Sequence, residues 1–412
     1  MSAQIAKQTK DTNIELPTGW RWVRLSEVTT VVNGTTPESE NPSFWNGDIV
    51  WITPTDLGKL LEPYIRNSDR KITTAGLDSR NLTRVPLRSI ILSSRAPIGH
   101  LGIAAVELCT NQGCKSFIPK EDVDEWFLYY ALKRSVWKLQ QLGSGATFSE
   151  ISKTQLENFS IPFPPFSEQR RIAGMLREQM VAVDKARAAA QARFEAVKTL
   201  PASILREAFL PAQIEQWGVK CVDEIASLVI DGPHVTPSYV PQGVPFVTVK
   251  NIQSGHLDFR ELSYITEEDH RQFSRRGRAE RGDILYTKDG TLGIPCVVDT
   301  DEEFGFFVSV ALIKLRRDVA DPEFVAYAMM SRYVIHQVDR LGAGAGLKHM
   351  VLKSIRALMI PCPSLKEQRR IAAVLREHLA AVEKVRAAAE IELQTINALP
   401  ATLLRQAFNG EL

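Results

Sequence analysis

The sequence predicts a duplicated α/β protein, mixed and β-rich: two similar globular domains joined by two long helices packed as an antiparallel coiled coil, pseudo-two-fold symmetric. Three observations predict it. Residues 161–210 and 360–409, offset by 199, are identical at 26 of 50 positions. Each copy carries one apolar stripe at helical spacing. The segment before each copy reads as short strands, Gly-bearing turns and a helix, in the same order both times.

The bulk composition bounds the problem. A chain of 412 residues exceeds one ordinary core, and 44% apolar with 24% charged residues is the composition of a soluble globular protein. No apolar run approaches the roughly 18 residues that span a bilayer, and the start MSAQIAKQTKDTNIELP lacks a signal peptide's apolar centre, so no membrane association and a cytoplasmic location are expected. Five scattered cysteines, Cys109, Cys114, Cys221, Cys296 and Cys362, fit free thiols better than a disulfide framework. Cys109 and Cys114 have no second pair at zinc-ligand spacing. Net charge is +2, and Glu15 to Phe159 holds 16 basic and 16 acidic residues. A nucleic-acid reading must therefore rest on local clusters or on partner subunits.

Four segments follow along the chain: a first head in 1–160, a helical segment in 161–210, a second head in 211–359 and a second helical segment in 360–412. In the first copy Ile172, Leu176, Met180, Val183, Ala186, Ala190, Phe194 and Val197 form the stripe; in the second it is Ile371, Leu375, Leu379, Val382, Val385, Ala389, Leu393 and Ile396. Ser167 and Ser364, each behind proline, are the expected N-caps. Pro201 and Pro400 are expected to break each helix, leaving a short second helix after it. A helix of about 32 residues is roughly 48 Å long and needs a partner of similar length for its stripe. The other copy is the expected partner; two unrelated amphipathic helices, each lying on its own domain, are the alternative. The order globule, helix, globule, helix favours antiparallel packing, because parallel packing would need a long return crossing.

The heads are related more weakly. WVRLSEVTTVVNGTTP from Trp22 stands against WGVKCVDEIASLVIDGPHVTP from Trp217, and RSIILSSRAPIGHLGIAAV from Arg88 against RGDILYTKDGTLGIPCVV from Arg281. Helices at Trp126 to Gln141 and Glu323 to Leu341 follow, then the loops GSGATFSEIS and GAGAGLKHMV. A kept frame with drifted heads is expected when the heads recognise different things and the frame spaces them.

Catalytic motifs are missing. FPPF at Phe163 places Phe where a methyltransferase needs an amide or carboxylate for its flipped base, and reads as a helix entry. There is no GxxxxGK[ST] loop, HExxH or GxSxG. His234 and His349 are lone histidines that read as surface or structural. TKDGTLG, Thr287 to Gly293, reads as a hairpin turn with Lys288 facing solvent or a ligand backbone.

Candidate nucleic-acid contacts are local. Arg271, Arg275, Arg276, Arg278 and Arg281 form the densest positive cluster, suited to phosphates and, by bidentate arginine, to guanine. The first head offers Arg70, Lys71 and Arg95, with Asn111, Gln112 and Lys115 in TNQGCKSF suited to base edges and phosphate. Lys250 and Lys348 stand in turns of the second head. Each of these clusters also reads as a solvated turn.

LPTGWRWVRLSEV from Leu16, RAPIG at Arg95, TNQGCKSF, and the doubled IPxPxxxEQRRIA pattern resemble the specificity subunit of type I restriction-modification systems. The resemblance covers almost the whole chain. It implies two target recognition domains, each reading one half of a bipartite double-stranded DNA site, and helices that act as spacer and docking surface for two modification (methyltransferase) subunits. Restriction subunits would join through the methyltransferase. It implies no catalysis and no cofactor on this chain, with S-adenosylmethionine, ATP and magnesium on the partners. A protein-scaffolding rod, or a methyltransferase or nuclease with an unrecognised active site, are the competing classes.

Overall fold

The computed structural model describes residues 16–95, 97–143, 150–341 and 349–412. It divides into two compact units, Met1–Ala189 with Leu393–Leu412, and Ala190–Glu392. The boundary cuts through both long helices.

In the first unit the strand Arg21–Arg24 pairs antiparallel with Ser160–Phe163, the strand that leads into the first long helix. A five-stranded sheet follows in the order Thr29–Asn33, Cys114–Pro119, Ile90–Ser93, Leu101–Ala104 and Tyr64–Ile65. A three-stranded sheet takes Arg70–Ile72, Trp45–Ile52 and Leu108–Thr110. The apolar run Ile90-Ile91-Leu92 is buried on both faces because the period of two sends its residues to different cores. Ile90 and Leu92 join Phe127 and Leu128 of the helix Glu125–Arg134, and Ile91 joins Val50 and Ile52 of the smaller sheet.

The second unit repeats this plan. Val219–Cys221 pairs with Met359–Pro361, before the second long helix. One sheet runs Ala226–Asp231, Val310–Leu315, Ile284–Thr287 and Pro295–Val297; the other runs Tyr239–Val240, Ser263–Ile265, Val244–Val247 and Gly305–Phe306. Ile284 and Tyr286 face the helix Pro322–Met329, and Leu285 faces the smaller sheet's core. The mixed, β-rich α/β heads are as the sequence predicts. Each expected head helix is instead two helices, ending at Arg134 and Met329 and resuming at Val136 and Arg332. At each break a buried serine hydroxyl turns back onto a helix carbonyl: Ser135 onto Ala131 at 2.7 Å and Ser331 onto Ala328 at 2.5 Å.

The long helices run Phe166–Ala208 and Leu365–Phe408, 43 and 44 residues, or about 65 Å each. Pro201 and Pro400 lie inside them and break neither. An internal proline costs about 3 kcal/mol, but the next turns bury Leu205 and Phe209 in one case and Leu404, Ala407 and Phe408 in the other. Each buried large side chain returns about 1.5–3 kcal/mol, enough to carry the helix through. Ser167 is likewise not a cap: it sits within the first helix, whose Glu168 and Gln169 amides donate to the Pro165 carbonyl. Ser364 does precede the second helix and accepts the Glu367 amide at 3.4 Å.

Within each unit the two helices run in opposite directions. In the first, Arg171 donates to the Leu412 carbonyl at 2.8 Å, and Arg187, further along, donates to Asn397 at 3.0 Å. In the second, Arg193 pairs with Glu392 at 2.5 Å, while Leu205 and Phe209 share a core with the start of the other helix at Ile371, Ala372 and Leu375. The stripe is buried or half-buried apart from Ala186 and Val385, which occupy equivalent positions of the two copies.

Two devices tie each head to its helices. Gln169 is fully buried: its Oε1 accepts the Asp124 amide at 3.0 Å, and its Nε2 donates to the Asp122 and Pro164 carbonyls at 3.2 and 3.0 Å. Gln368 repeats all three bonds, to the Asp321 amide and to the Val319 and Pro363 carbonyls, at 2.9, 3.0 and 2.9 Å. Asp124 and Asp321 in turn cap the head helices. The second device is an aromatic trio: Trp20, Phe127 and Phe408 in the first unit, and Trp217, Phe324 and Phe209 in the second. Each trio takes its helix-end phenylalanine from the long helix that finishes in that unit. Among the described residues no helix is long and apolar enough to cross a membrane.

Candidate nucleic-acid interface

In the first unit the site residues gather at one end of the larger sheet. The strand Cys114–Pro119 lies between Thr29–Asn33 and Ile90–Ser93, so Lys115 stands opposite Asn33 on one side and Leu92 on the other. The turn before it is tightly built. The Asn111 amide donates to the Ile52 carbonyl at 2.9 Å, and the Asn111 side chain accepts the Gly113 amide at 3.0 Å. Gly34 packs against this turn so closely that a Cβ would lie 1.8 Å from the Asn111 carbonyl oxygen. A Cβ on Gly113 would meet the Arg95 guanidinium at 3.3 Å, which places Arg95 over the same turn. Gln112 is exposed and accepts the Thr36 hydroxyl.

Arg70 joins this patch through aromatic rings. Its guanidinium stacks on Trp45 at 3.5 Å, with Trp51 at 5.8 Å, and the Trp51 indole donates to the Thr35 carbonyl at 3.1 Å. Stacking holds the charge in one orientation while leaving its edge available. Lys71 neighbours it on the strand, half-buried opposite Val50. Lys115 is different: it is buried, with its ammonium donating to the Gln112 carbonyl at 3.2 Å and to Glu150 at 3.4 Å.

In the second unit Arg276, in the turn Ser274–Arg276, reaches Asp231 at 3.6 Å, and His234 reaches the same carboxylate at 3.2 Å. Lys288 corrects the sequence reading of a solvent-facing turn: it is 2% exposed and lies 3.8 Å from Asp231 and 3.3 Å from Asp289. The hairpin itself forms as expected, but its lysine folds inward because two carboxylates converge beneath it. His349 closes the cluster on Asp289. Arg275 is exposed beside Arg276. Arg278 turns to Glu280 and Glu303 at 3.4 and 3.2 Å, and Arg281 to Asp301 at 2.8 Å, so the dense positive run is partly neutralised. Lys250 is exposed on the helix Val249–Ile252, and no hydrogen bond or ion pair among the described residues joins it to this cluster. Lys348 lies outside the described residues.

Sequence reasoning thus passed over Thr36, Trp45, Trp51, Glu150, Asp231 and Asp289, and read His234 and His349 as surface or structural rather than as members of a cluster. The available signal was positional. Both heads end paired strands at this edge, so the ends of IASLVID and ILYT mark the same place as those of TTVVN and IILS. For chemistry the described residues offer little: no group of three His, Cys, Asp or Glu side chains could hold a metal ion. Burial pushes the Cys109 thiol up to about 11 and those of Cys114 and Cys296 up to about 12, leaving them protonated and poorly nucleophilic at neutral pH.

Two heads that share the order of four strands in one of their sheets, each presenting a polar, cation-bearing sheet edge and each tied to a duplicated helix pair, define a two-headed recognition protein. The chain belongs to the family described as the type I restriction modification DNA specificity domain, which matches residues 17–179 and 214–393. It is 37% identical over 170 residues to the type I restriction enzyme MjaIX specificity subunit of Methanocaldococcus jannaschii, a match covering 40% of this chain and 39% of that one. To the EcoKI specificity subunit of Escherichia coli K12 it is 22% identical, over 97% of this chain and 90% of the relative. Two solved structures share the fold: one from work on complex assembly and conformational transition of the type I R-M system, with TM-score 0.75 and 21% identity over 97% of this chain and all (100%) of that one. The other is an HsdS subunit from Thermoanaerobacter tengcongensis, with TM-score 0.64 and 20% identity over 97% and 99% of the two chains.

Proposed function

We propose that this chain is the non-catalytic DNA-specificity subunit of a type I restriction-modification complex. Each head reads one half of a bipartite site in double-stranded DNA, and the helix pair sets the unread gap. The observation that carries this reading is the repeated edge: the same strand ends in both heads, with Arg95, Asn111 and Gln112 gathered there in one and Arg276, His234 and His349 in the other. Recognition of two different half-sites needs such a pairing of one scaffold with two side-chain sets, since hydrogen bonds to base edges carry the sequence information.

Two methyltransferase subunits dock on the helices and bring S-adenosylmethionine for adenine methylation; a restriction subunit with ATP and magnesium joins through them. This chain binds none of these cofactors and works in the cytoplasm, where the DNA is. Nearly balanced charge on the first head supports a division of labour in which partner subunits supply much of the phosphate affinity. The test is exchange of residues 15–160 for the first head of another family member, followed by mapping of methylated adenines made by the assembled complex. One half of the site should change and the other stay the same; a change in both halves rejects independent reading.

A further inference from the structure

We propose that Lys115 and Lys288 are positioning residues: each is a buried ammonium that holds the reading edge of its own head in shape without touching DNA. The inference rests on the function proposed above and extends it to how each half-site's specificity is maintained.

The two heads hold one electrostatic arrangement with different residues. In the first, Lys115 projects from the strand Cys114–Pro119, opposite Asn33 and Leu92. The matching position of the second head, opposite Asp231 and Tyr286, is Ala311. There the lysine stands at position 288, one residue past the neighbouring strand, a position whose counterpart in the first head is Ser94. The backbone fixes that equivalence: the Ser94 amide donates to the Gly113 carbonyl at 2.8 Å and the Lys288 amide to the Ser309 carbonyl at 3.0 Å. Their carbonyls accept the amides of Ile151 and Met350, both at 2.8 Å.

Each ammonium also meets a carboxylate at the same bridge. The edge is closed by an isolated antiparallel bridge, Arg95 with Glu150 in one head and Asp289 with His349 in the other. Lys115 pairs with Glu150, and Lys288 with Asp289 and Asp231. With only 5% and 2% exposure, neither lysine can reach a phosphate without unfolding its surroundings. Burying an ammonium is costly unless it is paired, and a well-packed apolar residue is often the more stable occupant. An arrangement held in both heads, although the lysine stands at a different position in each, is doing something that apolar packing would not. What it does is spatial: it binds the strand end, the turn and the closing bridge that together carry Arg95, Asn111 and Gln112 in one head and Arg276, His234 and His349 in the other.

The experiment uses the full chain assembled with its methyltransferase partner and a random-sequence duplex library, with methylated adenines mapped by sequencing. Lys288→Met and Lys115→Met are compared with Asp289→Asn, which keeps the lysine and removes one partner. Lys288→Met should lower base discrimination in one half-site by roughly tenfold or more, on the scale of a lost base contact, and leave the other half within about twofold. Lys115→Met should do the converse, and Asp289→Asn should relax the same half as Lys288→Met. The untouched half reports that the variant is folded and assembled. Unaltered specificity in Lys288→Met or Asp289→Asn, equal relaxation of both halves, or a lowered melting temperature with uniformly lower methylation overturns the proposal. So does weaker binding to every sequence with a shallower salt dependence, which would make the lysine a phosphate contact. If the wild-type complex selects no sequence, the functional reading falls first; a selective wild type with indifferent variants sinks only this inference.

Discussion

Replacing Gln169 by leucine keeps the side chain's approximate volume and deletes three hydrogen bonds at once. The Asp124 amide loses its acceptor, and the Asp122 and Pro164 carbonyls lose a donor, around a side chain with no exposed surface. A buried polar group stranded in this way costs about 1–3 kcal/mol, so three at the low end of that range amount to about 3 kcal/mol. That is a large part of a domain's usual stability. The loss should be felt first at the helix Glu125–Arg134, because Asp124 is its N-cap and accepts the amides of Trp126 and Phe127 at 3.0 and 2.9 Å. Gln368→Leu should produce the same loss in the second unit, at the helix Pro322–Met329.

Hydrogen exchange read by mass spectrometry resolves the two sites within one molecule. Exchange over residues 120–134 should accelerate about 100-fold or more in Gln169→Leu, corresponding to about 3 kcal/mol, while residues 317–329 keep their protection. Gln368→Leu should reverse the pattern. A change below about 0.5 kcal/mol at either site would mean that the three bonds merely replace equally good ones to water. Loosening of both segments by either variant would refute a clamp that acts within its own unit.

Two other outcomes are expected. Inserting seven residues after Ala190 and seven after Ala389 adds about 10.5 Å of helix, or about three base pairs, to the unread gap in methylation maps; an unchanged gap rejects the helix pair as the ruler. In native protein at pH 8, Ellman's reagent should label Cys221 and Cys362 ahead of Cys109, Cys114 and Cys296, whose burial holds their thiols protonated, with all five reacting after denaturation. Rapid labelling of all five in the native state would contradict the burial on which both head cores depend.

The helices were legible because their signal is local and repeated over many turns, and because two copies vouch for each other. Their ends were not: the rule that proline stops a helix is also local, whereas Leu205, Phe209, Leu404 and Phe408 outweigh it through contacts with distant segments. The same limit governs the site. Asn111 and Gln112 are adjacent in one turn and Arg95 lies in the turn after the strand Ile90–Ser93, which pairs with the strand that follows them, and the structure gathers the three. Lys115 and Lys288 look like turn lysines until Glu150 and Asp231, contributed by remote segments, are seen to meet them. Charge pairing across a fold has no period in the sequence, so burial of a charged side chain is the feature that pattern reading misses.

That difference in legibility has a physical counterpart in how such a protein can change its target. The aromatic trio and the glutamine clamp recur residue for residue in both units, with both glutamines and all four phenylalanines buried and the tryptophans half-buried, so altering the buried members costs several kcal/mol. Rim residues such as Gln112, His234 and Arg276 are exposed, and substitutions there usually cost within about 0.5 kcal/mol, leaving them free to drift toward new bases. The buried ammonium stands between these regimes. Removing it takes one partner from the carboxylates that close the edge, so a head that changes its rim must still supply the pair, and the two heads supply it from different positions, 115 in one and 288 in the other.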